Sequence, residues 1–196
     1  MRRRIGAAIA AWLALAGGVT LAGSGAPPSA LLLALLATTP LAIFAALWGC
    51  SRPFRVWALE LDLRALTWLQ VWRVALGAGL LVLYQEGRLP WRLGLAHGLA
   101  TLALGVSAPV VVRWTGATTI GPLAAVFAWH AAGGLNLVAL AIRASRLALQ
   151  GDERVAVLAT LPWSLLPTFV GPAALLAHAL ALAIIWARPL TGAPPR

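Results

Sequence analysis

Charge is almost confined to the gaps between long uncharged runs, and that spacing decides what this chain can fold into. The runs are residues 5–51, 74–85, 93–112, 114–142 and 155–187. A water-soluble helix needs a polar outer face, and these runs offer none. The chain therefore reads as a polytopic membrane protein, an all-α helix bundle. Apolar residues make up 61% and charged residues 10% of the 196, against about 45–50% and about 25% in soluble domains. Mean hydropathy of +0.89 agrees. About six spans of ~20 residues fill this length, so one integral membrane domain over residues 1–196 is expected.

The spans are expected at about 5–21, 30–48, 64–84, 91–112, 123–142 and 168–187. The second carries Pro40, with Thr38 and Thr39 placed to satisfy freed backbone groups. Interfacial pieces are expected at 52–63, where Glu60 and Arg64 lie one turn apart, and at 155–163. Pro162, Pro167 and Pro172 break the last segment. A broken helix at membrane depth is tolerated only where protein or water covers it, which draws attention to 161–172. The start, Met1-Arg-Arg-Arg4 and a long apolar stretch, resembles a secretory signal peptide and is read as a retained signal anchor.

All fifteen basic residues are Arg and none is Lys, which excludes a lysine Schiff base. A net charge of +10 suggests nucleic acid in a soluble chain. Here the arginines flank the spans, so membrane lipids with anionic head groups are the expected partners, and nucleic acid is not. Arg2, Arg3, Arg4, Arg52, Arg55, Arg64, Arg113, Arg188 and Arg196 fall on one side, against Arg88, Arg92, Arg143, Arg146 and Arg154. That bias predicts a bacterial cytoplasmic membrane protein with both termini inside. Most of the ten Trp fall near span ends and read as interfacial anchors. Cys50 is alone, so no internal disulfide forms.

Polar residues inside the spans are the candidate site. Arg73 is the sharpest of them. A central Arg costs at least ~2.5–3.5 kcal/mol on insertion scales, so something must offset it. Gln70 and Gly77 share its face, and the alternative is a displaced span with Arg73 snorkelling to the interface. Glu60, Asp62, Glu86, Asp152 and Glu153 all lie near span ends, so an intramembrane acid is not available to it. His130 and His178 fall near the middle of their spans, and His97 lies further out with Thr101 and Gly105 on its face. Two histidines at similar depth allow packing, proton transfer, or ligation of a haem or chlorophyll-type tetrapyrrole. Asn136 lies outward of His130, and Gly133 and Gly134 admit a neighbouring helix. There is no HExxH motif, no paired carboxylates and no G-x-S-x-G elbow, so the chain reads as non-enzymatic.

Three segments, Gln70-Val-Trp-Arg73, Leu89-Pro90 through Gly105-Val-Ser-Ala-Pro109, and Leu166-Pro-Thr-Phe-Val-Gly-Pro172 followed by His178, resemble a family of small bacterial polytopic membrane proteins. Its pattern reads QxxR, LPxxFxxPAGxGDxxxGxxAP, GLLDL and PTFxxPxxxxxH, and it has no assigned activity. The resemblance implies an architecture and a site but no reaction. Gln70, Arg73, Thr168 and His178 match it, whereas both of its aspartates are replaced, by Thr101 and Asn136. The expected site is therefore Gln70, Arg73, Thr101, His130, Asn136, Thr168 and His178. The expected function is a permease-like module for a small molecule or lipid, or an accessory subunit packed against other membrane proteins. The alternative is a His130/His178-ligated tetrapyrrole protein in electron transfer or light harvesting.

Overall fold

At membrane depth a chain satisfies its backbone only by coiling on itself or closing a barrel, and an Ala/Leu-rich chain coils. In the computed structural model, which describes residues 11–18 and 30–188, every regular element is helical. Helix α1 spans Ala30–Cys50, and α2, Arg52–Leu59, is short and amphipathic. Helix α3, Leu63–Trp68, passes through a 3-10 turn, Leu69–Trp72, into α4, Arg73–Gln85. Then come α5, Trp91–Val111, and α6, Ile120–Leu149. A 3-10 stretch, Glu153–Ala159, and a π-helical turn, Leu166–Val170, precede α7, Gly171–Ala187. Residues 11–18 are also helical.

Five stretches among the described residues are long and apolar enough to cross a bilayer: Leu32–Cys50, Leu63–Gln85, Trp91–Trp114, Ile120–Leu149 and Leu166–Ala187. The molecule is a multi-pass membrane protein. The first expected span, 5–21, lies mostly outside the described residues, as does the leader-like start. So do Arg2, Arg3, Arg4 and Arg196, on which the expected charge asymmetry rests. The described residues place five arginines at each end of the bundle.

Local chemistry sets the element ends. Ser51 Oγ accepts from Phe54 N and caps α2, and Asp62 Oδ1 accepts from Arg64 N at 2.9 Å and caps α3. Gly87, at φ 72°, closes the turn after α4, where Arg88 N donates to Leu83 O. Helix α6 runs past the expected boundary at 142 because nothing stops it before Gly151, at φ 78°. Its 30 residues reach roughly 45 Å, so its Arg143/Arg146 end projects beyond the hydrocarbon. Thr38 and Thr39 donate to Ala34 O and Leu35 O, beside the Leu36 carbonyl that Pro40 leaves without its N–H.

The last segment is broken for a readable reason. Pro172 has no N–H, so the Thr168 carbonyl four residues earlier loses its helical donor. Gly171 N reaches back five residues to Leu166 O, making the π turn. Trp12 Nε1 takes up the freed Thr168 carbonyl at 3.0 Å. Two apolar clusters fill the bundle. One gathers Leu76, Leu80, Leu83, Leu93, Leu140 and Leu166, and the other Leu63, Val111, Val126, Ala181 and Ile184. The buried polar residues fall between them along each helix.

Candidate functional site

Helices α4 and α5 touch backbone to backbone, since a side chain at Gly77 would overlap Leu102 and Gly98 of α5. This contact fixes the segment that carries Arg73. The 3-10 turn just before it has three residues per turn, so Gln70 stacks directly over Arg73. Both residues are 0% exposed. Arg73 therefore lies inside the bundle and does not snorkel.

Arg73 Nη1 donates to His178 Nε2 at 2.9 Å and to Gly133 O at 3.4 Å. His178 Nδ1 faces His130 Nδ1 at 2.9 Å, and His130 Nε2 faces Thr67 Oγ1 at 3.0 Å. Thr67 Oγ1 donates to Leu63 O at 2.8 Å. The two ends fix every proton. A guanidinium only donates and a carbonyl only accepts. His178 Nε2 is thus a lone pair and its Nδ1 carries the hydrogen, which His130 Nδ1 accepts. His130 Nε2–H then donates to Thr67. The chain of donors points one way, from Arg73 on α4 to Leu63 at the start of α3.

Packing holds the rings in place. A Cβ at Gly133 would overlap the His178 imidazole, so only glycine lets α6 approach α7 here. Trp129 packs edge-on against His130, at 4.9 Å between centroids and 89° between planes, and its Nε1 donates to Ser107 Oγ at 2.9 Å.

Part of the site has no protein partner among the described residues. Arg73 Nε and Nη2 are buried and unpaired, as are both amide atoms of Gln70. Nε and Nη2 form the flat edge of the guanidinium that grips a carboxylate or phosphate with two parallel bonds. No described ion pair includes Arg73. The arrangement suits an anion at Arg73 and Gln70, beside imidazoles able to accept and release a proton.

The expected residues divide into three groups. Arg73, His130 and His178 are joined by hydrogen bonds, and Gln70 lies buried one 3-10 turn before Arg73. Thr101 and Asn136 form a second cluster with His97: Asn136 Oδ1 lies 2.9 Å from His97 Nδ1, and Asn136 Nδ2 donates to Thr101 Oγ1 at 3.0 Å. Neither hydrogen-bonds to Arg73, so an acid at those two positions would first meet its neighbour. Thr168 stands apart, its hydroxyl donating to Ser164 O at 2.7 Å. Thr67, Ser107 and Trp129 were not anticipated as site residues. Thr67 had a signal, since Thr67, Gln70 and Arg73 recur every three residues, which matches the 3-10 period.

The His130/His178 pair does not fit axial ligation of a tetrapyrrole. All four ring nitrogens are engaged in the bonds above, and the ring centroids lie 5.1 Å apart, which leaves no slot for a macrocycle between them. No group of three or more His, Cys, Asp or Glu among the described residues is placed to hold a metal ion. Comparisons with family models, curated proteins and solved structures find no significant match to this chain.

Proposed function

We propose that this protein is a non-enzymatic, permease-like module of the bacterial cytoplasmic membrane that binds a small anion, a carboxylate or phosphate, at Arg73 and Gln70. The observation that carries the proposal is the unpaired Nε/Nη2 edge of a guanidinium enclosed among helices, beside an unpaired Gln70 amide. Buried charges are retained where they are paired or used, and no carboxylate among the described residues pairs this one. Since the residues are fully enclosed, an anion would reach them only when helices part. The 3-10 turn at Leu69–Trp72 is the natural hinge. The Arg bias supports cytoplasmic termini, and the resemblance to the QxxR family supports the same site, with Thr101 and Asn136 as this chain's departures from it.

The test is a thermal-unfolding screen of the detergent-purified chain against inorganic phosphate and a panel of small carboxylates. A ligand at 100 times its Kd adds about 2.7 kcal/mol of stability. A shift with at least one anion, absent in Arg73→Gln, is expected. A panel without any effect on the wild-type chain overturns the proposal.

The accessory-subunit reading draws on a different observation. Only 6% of the α1 span is buried, against 39% for Leu63–Gln85, Trp91–Trp114 and Leu166–Ala187. Leu35, Ile43 and Leu47 present an apolar face that another membrane helix could cover. Recovery of the chain as an isolated monomer after gentle extraction from its own membranes counts against this reading.

A further inference from the structure

One end of the bundle holds a cleft of about 580 Å³ lined by parts of α3, α5, the 3-10 turn after it and the end of α7. Arg64 and Trp68 come from α3, Arg113 from the 3-10 turn after α5, and Arg188 from the end of α7. The balancing acid in the cleft is Asp62, whose carboxylate caps α3 through Arg64 N. Neither it nor the three guanidiniums forms an ion pair among the described residues. Arg188 Nη1 donates to Thr115 O at 2.5 Å, which fixes its charge at the rim. Trp68, Pro109 and Val112 also line the cleft, with Trp68 46% exposed.

We infer that this cleft is a binding site for a phosphate ester, with the arginines on the phosphate and Trp68, Pro109 and Val112 along the attached chain. Three arginines lining one cleft against a single carboxylate give a net attraction for a phosphate anion, and arginine grips phosphate through paired N–H donors. The apolar part of the lining suits an amphiphile, and the position at a bundle end is where head groups lie. The site is separate from Arg73, which lies nine residues beyond Arg64 along the same segment and does not line the cleft. An anionic lipid and a soluble phosphate present the same chemistry here, and the test separates them.

The delipidated, detergent-solubilised chain is titrated with short-chain phosphatidylglycerol, short-chain phosphatidylcholine and inorganic phosphate, with binding read by thermophoresis. Saturable phosphatidylglycerol binding, at least tenfold tighter than phosphatidylcholine and at least tenfold weaker in Arg64→Gln/Arg113→Gln, is expected. Competition by inorganic phosphate makes the phosphate itself the recognised group, and its failure to compete makes the lipid the ligand. Arg73→Gln retains the binding, so failure of the interior anion site leaves this result standing. Equal affinity for the two lipids, no binding of phosphatidylglycerol, or unchanged binding in the double variant overturns the inference. Both substituted arginines are exposed; if the double variant does not melt cooperatively, Arg113→Gln alone is measured against the same criteria.

Discussion

At the bundle end formed by residues 85–91 and 149–165, two arginines stand beside acids. Arg88 lies 3.4 Å from Glu86 and Arg154 lies 2.7 Å from Asp152. In the middle of the bundle Arg73 has an imidazole and a carbonyl as partners, and at the opposite end Arg64, Arg113 and Arg188 share one acid that is already a helix cap. Neutralisation is found where water makes it nearly worthless and is missing where it would matter most. The contrast is between arginines with a carboxylate partner of their own and arginines without one among the described residues.

The sharpest way to break that contrast is Arg73→Gln. Losing two charge-assisted bonds, at about 1.5–3 kcal/mol each, is expected to weaken anion binding by roughly 100-fold or more in the thermal-shift titration. Arg73→Lys keeps the charge and loses the fork, so a smaller loss follows. His178→Ala removes the Nη1 acceptor and opens a cavity, with an expected destabilisation of about 3 kcal/mol on unfolding in detergent. Gly133→Ala forces a methyl into the His178 ring and costs about 1–3 kcal/mol by the same measurement. Asn136→Leu strands His97 Nδ1 and Thr101 Oγ1, at about 1–2 kcal/mol.

The paired end gives the smallest effect. The hydrogen bond from Arg154, aided by its charge, holds the Asp152 carboxyl below its ordinary value. A depressed carboxylate contributes stability above its unfolded pKa of about 4 and loses it as pH falls through the lower folded value. Asp152→Asn is therefore expected to leave the unfolding curve at pH 7 almost unmoved, since Arg154 is exposed and an Asn oxygen can still accept from Arg154 N. It would also flatten a slight loss of stability on the acid side. A large shift at pH 7 would erase the contrast between the two regions.

Much of the fold could be read from the sequence because uncharged runs of span length have one stable solution in a bilayer. The depth of Arg73, His130 and His178 was readable for the same reason, since counting from span ends fixes height. Rotation about each helix axis was not. Uniformly apolar helices carry no amphipathic stripe, so the separation of Thr101 and Asn136 from Arg73 had no sequence marker. Thr67 escaped notice because an α-helical period of 3.6 was assumed across a stretch that tightens to 3.0. Trp129 lies well inside its span and carries no sequence mark that separates it from the lipid-facing residues, although its Nε1 is bonded to Ser107.

The one-way run of donors from Arg73 through His178 and His130 to Thr67 imposes a bookkeeping of charge on the interior. A proton added to either imidazole sits a bond or two from an arginine that is already cationic, and the helices around it supply no opposite sign. An anion seated on the free edge of that arginine removes the objection. If the proposed module carries its anion across the membrane, one proton and one monoanion would enter as a neutral pair, and uptake by vesicles is expected to follow the pH difference across the membrane while ignoring its voltage.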